Sequence, residues 1–267
     1  MKKIRTLSLL LTGLALMSFV LNSCKMKSAM EKAAEDIIEE VIEEVGVNML
    51  TQEEIDEGWV LLFDGETTNG WRGVNQPAFP DSGWEIDDAS LHCLETGTGE
   101  AGMGGDILYD KKFKNFDLKF DWKIGSGGNS GVFYLGQEVE GWPIWKTAPE
   151  YQILDNAKHP DARLGKDGNR QAGTLYDLIP AEPQNAKPAG EWNTGEILVY
   201  DGTVVHYMNG EKVLEYHLWT PDWYEMVKNS KFPELNENWA EVAKEGYISL
   251  QDHGHDVWYR NIKIQEL

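Results

Sequence analysis

The densest chemistry in this chain lies near its end. "SLQDHGHDVWYRNIKIQEL" (249–267) places Gln251, Asp252, His253, His255 and Asp256 together between apolar, strand-like runs. Imidazoles and carboxylates so grouped can move protons near neutral pH, and a neighbouring amide can hold a hydroxyl. A second cluster is "PEYQILDN" (149–156), where Glu150 and Gln152 share one face of an extended segment and Tyr151 and Ile153 the other. In a third, "SGGNSGVFY" (126–134), glycines around Asn129 and Ser130 let a ligand approach the backbone closely. Carboxylate, imidazole and amide in this company suit acid–base chemistry on a polyhydroxylated ligand. Eleven Trp and ten Tyr offer flat apolar surfaces for a sugar ring, and serve a sandwich core equally well. Trp84 and Trp122 are read as core.

The elements that must position these groups are strands. "DLKFDWKI" alternates strictly, with Leu118, Phe120, Trp122 and Ile124 on one face and Asp117, Lys119, Asp121 and Lys123 on the other. "EILVYDGTVVHYMNGEKVLEY" is punctuated by Asp201-Gly202 and Asn209-Gly210, pairs that favour two-residue hairpin turns. Short strands with Gly-rich turns and little helix predict an antiparallel β-sandwich. In the C-terminal ribbon, Ile248, Leu250, Trp258, Ile262 and Ile264 share a parity and are assigned to the core. Gln251, His253 and His255 project oppositely, and 252–256 forms a bend. Residues 219–245 break the period-two pattern and read as a helical insertion, a lid or a rim.

The remaining features bound location and partners. "MKKIRTLSLLLTGLALMSFVLNSC" has a basic start and a short apolar run, the form of a signal peptide over residues 1–23. Its "LNSC" end resembles a bacterial lipobox, which implies cleavage before Cys24, lipidation of Cys24 and anchorage at the membrane of the cell envelope. Cys93 is then the sole cysteine of the exported part, so the fold depends on its core rather than on a disulfide. Net charge is -21, and residues 31–57 alone carry eleven acids against one Lys. Such a chain has no electrostatic means of holding nucleic acid. Met30, Ala34, Ile37, Val41 and Val45 form one narrow helical stripe, so 24–57 is read as an acidic helical tether, either a spacer or a short oligomerising helix.

Six segments in series carry a resemblance: "GWVLLFDGETTNGW" (58–71), "GGNSGVFY" (127–134), "PEYQILDN" (149–156), "AGTLYDL" (172–178), "KPAGEWNTGEI" (187–197) and "LQDHGHDVWYRNIKI" (250–264). Together they resemble the 3-keto-disaccharide hydrolase family over residues 58–267, with Asp256 standing where that family's pattern has Pro. The resemblance implies an all-β, concanavalin-like jelly roll acting on an oligosaccharide or glycoside oxidised at C3. It implies acid–base roles for Glu150 and His253 and sugar contacts for Asn129, Gln152, Asp155, Arg170, Gln251 and His255. A divalent metal held by Glu150 and His253 could polarise the ketone, although no ligand spacing in the sequence marks one. Two other functions stay open. One is a non-catalytic carbohydrate-binding lipoprotein on the same fold. The other is an ordinary glycanase, for which Glu150 and Asp155 would have to share a face against their opposite parity.

Overall fold

The computed structural model describes residues 46–97 and 102–267. The signal peptide, Cys24 and the apolar stripe of the tether lie outside the described residues. A compact unit begins at Val47, so the sandwich takes up chain before residue 58. Asn48 and Asn261 exchange hydrogen bonds of 2.6 and 2.7 Å. The short helix α1 (Gln52–Asp56) is closed by a reciprocal cap between Thr51 and Glu54, and Glu54 also pairs with Lys263.

Among the described residues, thirteen strands form two sheets, and every pairing is antiparallel. The larger sheet runs β11 (Glu211–His217), β10 (Thr203–Met208), β9 (Asn193–Tyr200), β6 (Phe116–Ile124), β13 (Val257–Glu266), β4 (Ser90–Cys93), β3 (Trp84–Asp87). The two-residue β1 (Val60–Leu61) pairs with the far part of β13. The smaller sheet runs β2 (Trp71–Gly73), β5 (Ile107–Phe113), β12 (Gly246–Leu250), β7 (Asn129–Gly136), β8 (Glu150–Leu154). The expected turns form. Asp201-Gly202 and Asn209-Gly210 have positive φ at both residues, the geometry that matches the twist of a hairpin.

The core fills the space between the sheets. Leu118, Phe120, Trp122 and Ile124 of β6 are all buried, as their alternation predicts. They face Val132, Tyr134, Tyr151, Ile153, Ile248 and Leu250 of the smaller sheet, with Phe120 edge-on to Tyr151 at 5.4 Å. Full burial of each such side chain contributes ~1.5–3 kcal/mol. Cys93 is buried in β4, where its thiol donates to Asp252 at 3.2 Å and burial pushes its pKa well up. Its place in the strand is one of packing.

The C-terminal ribbon departs from its expected parity. Register shifts between Arg260 and Lys263, and Asn261 adopts φ 50°. This bulge inserts one residue and exchanges the faces on either side of it. Val257 and Tyr259 therefore enter the core with Ile262 and Ile264, and Trp258 turns outward. Trp258 is half-buried, stacked on His92 with centroids 4.2 Å apart, and donates from Nε1 to Asp87. The ribbon also changes sheets. β12 lies in the smaller sheet and β13 in the larger, so residues 251–256 cross one end of the sandwich.

The outer face of the smaller sheet is divided. One part is covered by Leu108, Phe133, Ile144 and Ala148, closed by the 3-10 turn Ile144–Lys146. The helical insertion predicted over 219–245 is present as α2 (Pro221–Lys228) and α3 (Phe232–Leu235), anchored by Trp223 stacked on Tyr216 and Trp239. The rest of this outer face is polar.

Candidate active site

Strand register assembles the polar part of that face. Gly131 of β7 pairs with Gln152 of β8. The Gln251 amide donates to the Gly131 carbonyl, and the Gln152 amide to the Thr174 carbonyl. Leu250 pairs with Ile107, which sets Asp106 beside Gln251 one step further on. Asp106, Gln251, Gly131, Gln152 and Thr174 thus form one row across the sheet, flanked by Asn129 and Glu150 on the same parity.

Three oxygens in this patch are buried without a hydrogen-bond partner: Asn129 Oδ1, Gln251 Oε1 and the Thr174 hydroxyl. An unpaired buried acceptor costs ~1–3 kcal/mol, so three together mark a surface shaped for a hydroxylated ligand. The Gln152 oxygen is already occupied by the amide of Ile153 at 3.0 Å. Gly131 explains how Glu150 fits. A Cβ at this position would stand 2.3 Å from Glu150 Oε1, so the absent side chain leaves the space in which that carboxyl lies.

The carboxyl groups are shifted toward neutrality. Burial pushes Glu150 up to about 8; Lys231 opposes the rise, while Asp106 and Asp161 add to it. Burial likewise pushes Asp106 up to about 7, against a backbone hydrogen bond from Asp252 that favours the anion. Both residues keep partial solvent exposure while protein atoms crowd their carboxyl groups. Groups that are reachable and titrate near neutral pH are able to transfer protons.

The loop after β8 borders the patch. Both carboxylate oxygens of Asp155 accept from backbone amides, of Gly127 at 2.7 Å and Ala157 at 3.0 Å, which fastens the glycine loop that carries Asn129. It is not free to pair with Glu150 as a second glycanase carboxylate. Arg170 is held between Asp161 at 2.8 Å and Asp177. The Tyr176 hydroxyl donates to Asp161 at 2.8 Å, and Lys231 reaches that hydroxyl from the helical insertion at 3.2 Å. Burial lowers the pKa of Lys231. His253 and His255 lie in the sheet-crossing ribbon. With His159 they form a cluster with ring centroids 5.6–6.4 Å apart. Burial and the other two histidines hold His159 below its ordinary pKa. Among the described residues, no three His, Cys, Asp or Glu side chains converge as a metal-ligand set.

Comparison with known proteins identifies the family. The family model described as the 3-keto-alpha-glucoside-1,2-lyase-like domain matches residues 58–265. The chain belongs to that family. A curated protein of Bacteroides thetaiotaomicron named 3-keto-disaccharide hydrolase is 51% identical over 230 residues, covering 79% of each chain. Among solved structures, a Parabacteroides distasonis protein described as a candidate glycosyl hydrolase superposes with a TM-score of 0.74 at 32% identity. The match spans 83% of this chain and 100% of that one. A second from the same organism gives 0.59 at 26%, over 78% and 99%.

Within this lyase-like domain, sequence reasoning located Glu150, Gln152, Asn129 and Gln251 on one face. It missed Asp106, Thr174, Tyr176, Asp161 and Lys231. Asp106 shares parity with Leu108 and Asp110 in "DILYD", a visible signal, but its face has meaning only once β5 is paired with β12. Thr174 sits inside the segment "AGTLYDL", where no strand period points to it.

Proposed function

We propose that this protein cleaves the glycosidic C–O bond of 3-keto-disaccharides by elimination across C1 and C2, with water adding afterwards. A ketone at C3 acidifies the C2 proton because the resulting carbanion spreads into the carbonyl. Loss of that proton expels the C1 oxygen, and water added to the enone completes a net hydrolysis. The "1,2-lyase" of the family description and the "hydrolase" of the relative's name fit the two stages of this one sequence.

The observation that carries the reading is the pair of near-neutral carboxyl groups beside unpartnered amide and hydroxyl oxygens on one open face. Glu150 serves proton transfer. Asn129, Gln251 and Thr174 accept hydrogen bonds from sugar hydroxyls, with the Gln152 amide nitrogen beside them. His253, with His255 against it, donates to the C3 oxygen as negative charge grows there. Asp155 and Arg170 hold the bordering loops. A binding module needs the hydrogen-bonding oxygens but gains nothing from carboxyls poised to titrate near neutrality, which favours the enzyme. An exported, lipid-anchored location through Cys24 belongs to the same proposal. Cys24→Ser should release the protein from the membrane fraction, and a variant still held there refutes the anchor.

The test incubates the enzyme with native and 3-oxidised forms of one disaccharide. Sugar release from the oxidised form alone is expected. Binding of either form without turnover would establish the carbohydrate-binding alternative, and cleavage of the native form would refute the elimination route.

A further inference from the structure

One step of elimination needs a group that takes the C2 proton and another that supplies a proton to the departing oxygen. Glu150 cannot do both at once. Across the row from it stands Asp106, just before β5 and beside Gln251. Asp106 Oδ1 accepts from the Asp252 amide at 2.9 Å, a bond that favours its anion. The Glu150 carboxyl receives no comparable donor among the described residues, and it lies over Gly131. Two strand spacings, ~10 Å at the backbone, separate the Asp106 and Gly131 columns, and side chains reaching inward narrow the gap. Gln251 lies between them, with its unpartnered oxygen.

Resting on the elimination reading above, we propose that Asp106 is the base that removes the C2 proton and Glu150 the acid that protonates the departing C1 oxygen. The ring lies over Gln251 between them. The C2–H bond breaks, its electron pair passes into the C3 carbonyl and returns to form C1=C2, and the C1–O bond breaks with its pair leaving on oxygen. Asp106 gains one proton and Glu150 loses one, so the pair still holds one. Water addition runs the roles in reverse: Glu150 takes a proton from water as its oxygen bonds to C1, and Asp106 returns one to C2. The shift of both carboxyls toward neutrality, driven chiefly by burial and opposed by Lys231 beside Glu150 and by the Asp252 amide beside Asp106, supports a pair that shares about one proton at working pH.

The experiment measures elimination of a 3-keto-disaccharide and of 4-nitrophenyl 3-keto-glucoside, together with deuterium uptake at C2 in D2O, for the parent, D106N and E150Q. D106N should lose roughly 10²-fold or more on both substrates and lose C2 exchange, because no acid relieves the lack of a base. E150Q should be impaired on the disaccharide, recover near-parental rates on the nitrophenyl glycoside, whose leaving group needs no proton, and keep C2 exchange. Asn retains the acceptor that the Asp252 amide requires. Rates are referred to folded enzyme by circular dichroism, and D106E, which keeps the carboxylate, should regain exchange. Parental activity in D106N, or the reverse pattern with E150Q losing exchange, overturns the assignment while leaving the substrate reading intact. A parent inert toward both substrates refutes the substrate reading, and the pairing falls with it.

Discussion

Glu150→Gln should make the protein more stable in alkali while disabling it. The folded pKa of Glu150 is raised from 4.5 to about 8, chiefly by burial. Between those two values the folded protein holds a proton that the unfolded chain has released. Stability is therefore fully present below about pH 4.5 and is lost as pH rises toward 8. At ~1.36 kcal/mol per pH unit the full interval corresponds to a burial cost of ~5 kcal/mol. Solvent reaching this partly exposed side chain screens much of that, leaving ~2 kcal/mol. Gln occupies the same volume above Gly131 and has nothing to ionise.

Melting curves of parent and variant from pH 4.5 to 8.5 check this. The two should melt together at pH 4.5. At pH 8.5 the variant should melt ~4–8 °C higher, at ~2–4 °C per kcal/mol for a domain of this size. Turnover of the 3-keto-disaccharide should fall roughly 10²-fold or more. A variant less stable than the parent, or a melting difference that does not change with pH, would show that the carboxyl is neither buried nor shifted as described. The reasoning about its protonation would then fail.

Three further outcomes follow from the geometry. Gly131→Ala puts a methyl group where Glu150 Oε1 now lies, 2.3 Å from the new Cβ; kcat should drop roughly tenfold or more through misplacement of that carboxyl, and unchanged kinetics would mean that Glu150 needs no fixed position. A protein starting at residue 47 should melt like the mature form. One starting at residue 58 should melt several degrees lower, because it lacks Asn48 and the Glu54–Lys263 pair; equal melting of both would count against the docking of this segment. Trp258→Ala should cost only ~1–2 kcal/mol in denaturant unfolding, as an outward ring on His92, whereas Trp122→Ala, fully buried, should cost ~3–5 kcal/mol; a reversed order would restore Trp258 to the core.

What the sequence revealed and what it hid divide along one physical line. Side-chain alternation is local. "DLKFDWKI" and "PEYQILDN" therefore declare their faces without knowledge of any partner, and the structure places Tyr151 and Ile153 inward and Gln152 on the open face. The paired positive-φ turns at Asp201-Gly202 and Asn209-Gly210 are local in the same sense. Trp258 escaped because a single extra residue near Asn261 reverses parity, and the groups that hold this bulge, the Asn48 side chain and the Asp121 carboxylate, lie far from "YRNIKI" in the chain.

Asp106 escaped for a related reason. Its alternation with Leu108 and Asp110 shows that it faces the same way as they do, but two of those three leave the active face to other neighbours. Leu108 packs under the turn at Ile144, and Asp110 pairs with Arg72. Only the pairing of Leu250 with Ile107 brings Asp106 beside Gln251. That pairing joins residues more than 140 positions apart in the chain. A site built across four strands is thus readable one strand at a time, each giving the side of the sheet on which its polar groups stand. The chemistry arises from register between strands, because register decides which carboxyl faces which across the width of a sugar.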